Sequence, residues 1–226
     1  MKLAYEIFIT MIILLFPIST IGCFATSVES NETVVLVTGF GPFGQTDINP
    51  SQLITEELDG QEISGANIVG IVLPVDWNES VEIILETIED LDPDIIISTG
   101  LAAGRRLISV ENIGINLKHD PSDELFVFEK IDPNGPFFQG SSLPTRQITR
   151  NLRNSGIPVR QSCYAGTYIC NAVMYTVLDY IEENELSIKS GFIHVPLLSS
   201  QDSRKGLELE IMVDAIEIAI QSSLSA

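Results

Sequence analysis

The chain has 226 residues, enough for one domain with a sizeable buried core and too many for a small disulfide scaffold. Against 12 Lys and Arg stand 31 Asp and Glu, so the formal charge of −19 would repel a phosphate backbone over most of the surface and argues against nucleic acid as a partner. Imidazole chemistry is confined to His119 or His194, and thiolate chemistry to Cys23, Cys163 or Cys170.

The N-terminus follows the pattern of a secretory signal: Lys2, an apolar run from Ile7 to Phe16, then Pro17 and the small, polar Ser19-Thr20-Ile21-Gly22-Cys23. Leu3 to Ile21 taken whole could instead serve as an uncleaved anchor. Thr20 to Cys23 also resembles a bacterial lipobox, without its usual Leu three places before the Cys. Residues 1–33 are therefore read as a signal peptide or membrane anchor plus linker, and residues 34–226 as one folded domain that is exported, either secreted or tethered to a membrane.

From Val34 onward, β-branched runs alternate with segments of helical period, the mark of an α/β layer fold with a largely parallel sheet. In chain order the pattern predicts a strand at Val34–Thr38, a helix at Ser51–Leu58, a strand at Ile68–Leu73, a helix at Glu79–Leu91 and a strand at Asp94–Thr99. There follow a long strand at Ile108–Leu117, a helix at Leu143–Asn154, a strand at Pro158–Ser162, a helix at Tyr168–Glu183, a strand at Gly191–Val195 and a helix at Ser203–Ser223. Lys118–Gly140, rich in Asp, Pro and Phe with no clean period, reads as a long loop or hairpin near something functional.

Gly39-Phe40-Gly41-Pro42-Phe43-Gly44 fits the G-x-G-x-x-G pattern after a strand, but Pro42 removes an N–H that a pyrophosphate would need and helix onset is delayed to about Ser51. The segment reads as an aromatic-walled pocket or a structural turn. Gly166 and Thr167 are helix-start signals that put Cys170 in a first helical turn, where the dipole and free N–H groups favour thiolate and would make Cys170 the first thiol to alkylate, ahead of Cys163. The alternative is a buried structural Cys. His194 ends an apolar strand at the edge where α/β sheets place ligands, as a general base or a core histidine. Glu111 lies inside an apolar run, as a buried carboxylate that needs a partner or as an edge-strand surface residue. No His or Cys spacing suits a metal ion.

These motifs stand in order: Thr38-Gly39-Phe40-Gly41-Pro42-Phe43-Gly44 with Asn49-Pro50-Ser51, Gly100-Leu101-Ala102-Ala103-Gly104-Arg105, Val110-Glu111 with Asn116, Ala165 to Asn171, and Gly191 to Pro196. Together they resemble the pyroglutamyl peptidase I family, also called pyrrolidone carboxyl peptidases. The resemblance implies a three-layer α/β/α sandwich with a largely parallel, mixed central sheet, often assembled as a homo-oligomer. It implies a cysteine exopeptidase, free of cofactor, that removes N-terminal pyroglutamate from peptides. Cys170 would be nucleophile, His194 base and then acid, and Glu111 the orienting carboxylate. Phe40, Phe43, Val75 and Tyr168 would line the slot for the lactam ring.

Three features depart from the family. Its A-R-I-P-D-N run after the Asn is replaced by Leu117-Lys118-His119-Asp120-Pro121-Ser122, so the Arg near the scissile carbonyl is missing, with Lys118 as a candidate substitute charge. Cys163 stands close enough in sequence to invite pairing with Cys170, and export is unusual for the family. An alternative function follows from the missing Arg: a divergent relative of altered specificity, or one that binds N-terminally blocked peptides without cleaving them.

Overall fold

The computed structural model describes residues 32–44, 47–119 and 127–226; the signal or anchor reading, Cys23, Gln45-Thr46 and residues 120–126 lie outside them. Its elements in chain order are β1 (Thr33–Phe40), α1 (Pro50–Leu58), β2 (Glu62–Ile63), β3 (Ala66–Leu73), α2 (Trp77–Leu91), β4 (Ile95–Leu101) and β5 (Ile108–Glu111). They continue with β6 (Ile113–Ile115), β7 (Phe138–Gly140), α3 (Thr145–Asn154), β8 (Val159–Ser162), α4 (Ile169–Glu183), β9 (Lys189–Val195) and α5 (Leu209–Leu224).

The main sheet has the order β2-β3-β1-β4-β9-β5-β8. Its centre, β3, β1, β4 and β9, is parallel throughout. β2 joins antiparallel to β3, while β5 runs antiparallel to β9 and parallel to β8, so the sheet is mixed. Both faces are covered, which is why the central strands are apolar at successive positions instead of alternating with polar residues. Val35 and Val37 of β1 pack with Ile54 of α1, Ile148 of α3 and Met212 and Ile216 of α5. Leu36 and Phe40 of the same strand pack on the other face with Ile84 and Ile88 of α2 and Val173 and Val177 of α4. This is the three-layer α/β/α sandwich.

Local chemistry fixes the helix starts nearest the site. Asn49 caps α1 by accepting from Ser51 N at 3.1 Å, with Pro50 following where its missing N–H costs nothing. Asp76 caps α2, accepting from Asn78 N and Glu79 N at 3.0 Å.

Two departures from the sequence reading change the architecture more than a shifted element end. The long strand predicted over Ile108–Leu117 breaks at Asn112, whose N–H donates to Ser162 O at 2.7 Å and whose carbonyl accepts from Ser141 N at 2.9 Å. β5 stays in the main sheet, whereas β6 turns away to pair antiparallel with β7. The predicted Ser203 start of the last helix moves to Leu209, because Gly206 N donates to Asp202 O at 2.7 Å in a turn that precedes a Leu198–Leu207 bridge. The described part of Lys118–Gly140 is an excursion pinned by buried Asn116: Oδ1 accepts from Ile131 N and Asp132 N at 2.9 Å, and Nδ2 donates to Asp132 O at 2.7 Å and Gly135 O at 3.2 Å.

Candidate active site

β9 delivers His194 to the carboxyl end of the parallel strands, in register with Gly100 of β4. Because β5 pairs antiparallel with β9, Glu111 sits opposite Phe192, and the pleat puts Phe192, His194 and Glu111 on one face. Glu111 is thus the diagonal neighbour of His194, and its Oε1 lies 2.8 Å from His194 Nδ1. Both are buried. The same oxygen receives Nη1 of Arg105, from the loop between β4 and β5, and Nη2 of Arg105 donates to Tyr164 O at 2.7 Å.

Burial alone would raise the Glu111 pKa, yet its hydrogen bond and charge interaction with His194, with smaller contributions from Ser162 and Arg105, bring it below the ordinary 4.5. An ionised carboxylate only accepts, so the hydrogen bond assigns the proton to His194 Nδ1 and leaves Nε2 as the basic nitrogen. Burial lowers the His194 pKa from 6.5 despite the opposing pull of Glu111, with Arg105 and Arg160 adding to the fall. The imidazole is therefore neutral at neutral pH.

Cys170 stands in the first turn of α4, after Tyr168 at the N-cap. The first i→i−4 bond is Ala172 N to Tyr168 O at 3.1 Å, so the amides before it have no partner within the helix and are available to an oxyanion. The expected thiolate is corrected here. Burial pushes the Cys170 thiol up to about 12, and Glu111 adds to the rise against its own backbone N–H and Arg105. Burial, which disfavours the charged form, is the largest influence on this thiol. Cys170 and the exposed Cys163 are both free thiols, so the pairing raised from the sequence is absent.

A cavity of about 190 Å³ connects these groups. Phe40, Phe43, Val75 and Tyr168 all line it, beside Cys170 and His194, as does Asn49. The polar ends of Asn49 are already committed to Gly41 O at 2.9 Å and to Ser51. The space is below the range typical of drug-sized ligands, and suits a single small ring held by apolar walls. Trp77 braces Tyr168 edge-on at 5.0 Å between ring centres. Two sequence candidates fall outside the cavity lining. His119 places Nδ1 3.2 Å from Val127 O and its ring against Phe128. Lys118 pairs with Glu129 at 3.7 Å and borders a separate groove with Trp77 and Val81, so it does not take the missing Arg's place at the pocket. Conversely, Arg105 was legible only as part of a motif; the signal that would have singled it out is the need of a buried Glu for a cation.

A thiol, an imidazole and a carboxylate gathered under a small apolar pocket at the carboxyl edge of an α/β sheet define the class of thiol hydrolases. The family described as Pyroglutamyl peptidase matches residues 33–226, and the chain belongs to it. Pyrrolidone-carboxylate peptidase 1 of Caldanaerobacter subterraneus subsp. tengcongensis is 38% identical over 200 residues, which cover 85% of this chain and 98% of the relative. The pyrrolidone-carboxylate peptidase of Halalkalibacterium halodurans is 35% identical over 196 residues, covering 83% of this chain and 98% of the relative. Among solved structures, the pyrrolidone carboxyl peptidase from Thermococcus litoralis superposes with a TM-score of 0.82 at 35% identity, over 85% of this chain and 94% of the other.

Proposed function

We propose that the protein hydrolyses the amide bond after an N-terminal pyroglutamate, with Cys170 as nucleophile, His194 as base and then acid, and Glu111 holding the imidazole. The observation that carries this reading is the convergence of Cys170 and the Glu111-bound His194 on one small apolar cavity. A pyroglutamyl group has no free amine and no charge, so flat apolar walls suit it and a lone carboxylate in the slot would reject it.

The resting site holds a neutral thiol and a neutral imidazole. As the thiol attacks, its proton passes to His194 Nε2 while Sγ bonds to the pyroglutamyl carbonyl carbon, whose oxygen becomes an oxyanion facing the first-turn amides of α4. His194 then returns the proton to the departing amine, the C–N bond breaks, and a thioester remains. Water, deprotonated by His194, splits the thioester into free pyroglutamate and the Cys170 thiol. Glu111 stays ionised throughout, and its charge supports the transient imidazolium.

The test is fluorophore release from a pyroglutamyl-coumarin amide by purified protein under reducing conditions, alongside Cys170→Ala. Turnover that vanishes in the variant supports the reading. The missing Arg, for which Lys118 is no substitute, favours a second reading in which blocked peptides are bound without cleavage. Saturable binding of a pyroglutamyl peptide with no product after prolonged incubation would select it.

Self-association is part of the proposal. Phe137 and Phe138, at 48% and 56% exposure, pack edge-to-face on the excursion, which also exposes Val127 and Phe128, apolar groups that a second copy would cover. Light scattering on the eluting protein checks it. Export through residues 1–33 is proposed from the sequence pattern, and N-terminal sequencing of the protein recovered from cell fractions decides between cleavage, anchoring and neither.

A further inference from the structure

We propose that Arg105 is a positioning residue, which keeps the Glu111 carboxylate charged and aimed at His194 while tying it to the loop that leads into the helix of Cys170. The inference rests on the roles assigned above to Cys170 and His194.

Glu111 makes its hydrogen bonds through one oxygen. Oε1 takes both His194 Nδ1 and Arg105 Nη1, whereas Oε2 makes no hydrogen bond among the described residues. The other prong of the guanidinium reaches Tyr164 O at 2.7 Å, in the segment between β8 and α4. Arg105 is itself seated by its N–H on Ala102 O at 2.8 Å. A fork with fixed geometry therefore joins the end of β4, the end of β5 and the approach to α4.

The charge has a second effect. A buried carboxylate alone would draw a proton onto the imidazole and remove the base. A permanently cationic guanidinium on the same oxygen opposes that proton. The groups facing His194 are Glu111 of β5, Arg160 of β8, Arg105 and Cys170 of α4, with the uncharged Phe192 ring 4.8 Å away on its own strand. Arg160 donates through Nε to Ser109 Oγ at 3.1 Å, so Arg105 is the cation in direct contact with the carboxylate. Arg105 is not among the residues lining the cavity, which separates its part from substrate binding.

The experiment compares Arg105→Gln and Arg105→Lys with the parent, all carrying Cys163→Ser so that one described thiol remains. Two readouts are taken against pH: turnover of the pyroglutamyl-coumarin amide, and the rate at which iodoacetamide alkylates Cys170, followed by mass spectrometry. Arg105→Gln is expected to lower kcat on the order of 10²-fold with KM nearly unchanged. It should also move the acidic limb of both profiles to higher pH by about one unit, as the imidazole holds its proton longer. Arg105→Lys should restore the limb and only part of kcat, because an ammonium supplies the charge without the second prong. An unmoved limb in both readouts for folded Arg105→Gln overturns the proposal, whether or not the rate falls, since a loop staple alone would leave the limb in place. If that variant does not fold, wild-type kcat in Arg105→Lys overturns it. Parent protein that alkylates normally but turns over no substrate defeats the function proposed above, and Arg105 is then judged on alkylation alone.

Discussion

Gly100 lies so close to the sulfur of Cys170 that the space between them admits a hydrogen but not a side chain. A Cβ on Gly100 would lie 2.8 Å from Cys170 Sγ and 2.9 Å from Phe192 Cζ. The glycine is required by this close approach and not by its backbone conformation, since it is absent from the positive-φ residues. Gly100→Ala should cost about 1–3 kcal/mol by overpacking. It should cut kcat on the order of 10²-fold by displacing the sulfur. Steady-state kinetics and a thermal melt check this, and near-normal kcat in the variant would show that the sulfur has room to move.

Cys163 is exposed, whereas Cys170 is half-buried with a thiol held protonated by burial. Iodoacetamide at neutral pH should therefore modify Cys163 first in the ligand-free protein, the reverse of the order that the helix-start position suggested. A pyroglutamyl electrophile should reverse it again by placing its reactive carbon beside Sγ. Peptide mapping after timed alkylation decides the order, and preferential labelling of Cys170 by iodoacetamide would mean that the dipole outweighs burial.

The site also ties stability to pH. His194 and Glu111 have folded pKa values below their ordinary 6.5 and 4.5, so on acidification the unfolded chain takes up protons first. Their contribution is complete above 6.5 and is lost as pH falls, His194 first and Glu111 below 4.5. The thiol acts in the opposite direction. Raised from 9.0 to about 12, it contributes fully below 9.0 and less as pH climbs toward 12. The melting temperature should be highest between these limits, and Cys170→Ala should flatten the alkaline fall while leaving the acidic one. For turnover, a base that stays neutral below the ordinary imidazole value should carry the acidic limb of kcat/KM below pH ~6.5. A limb above that value would contradict the neutral resting imidazole.

Asn116 is fully buried and satisfies backbone groups of residues 131, 132 and 135. Asn116→Ala leaves those groups without partners, at a cost of roughly 3 kcal/mol. Limited proteolysis should then cut between Lys118 and Gly140 well before the parent is cut there. An unchanged cleavage pattern would mean that the strand pairing of β6 with β7 suffices to hold the excursion.

The layers were legible in the sequence because helical and extended periods alternate cleanly, and the five motif blocks held the thiol, the imidazole and three of the four slot residues that line the cavity, Phe40, Phe43 and Tyr168. What escaped reading depends on partners distant in the chain. Apolar positions change phase at Asn112, from 108 and 110 to 113, 115 and 117, but only the backbone bonds to Ser141 and Ser162 and the pairing of β6 with β7 show that one strand is two. The thiolate expectation failed for a similar reason, since a first-turn position is local but burial depends on what packs against it. Arg105 stood in a recognised block, and its importance emerged only once Glu111 was seen to be buried beside it.

The antiparallel pairing of β5 with β9 makes the Glu111–His194 contact span 83 residues of chain. A slip of one residue would turn Glu111 to the opposite face of the sheet and leave the imidazole without its acceptor. Such long-range closure is slow relative to helix formation and local turns. Recovery of catalytic power during refolding therefore serves as a clock for the sheet's far half, ticking later than signals that report helix content alone.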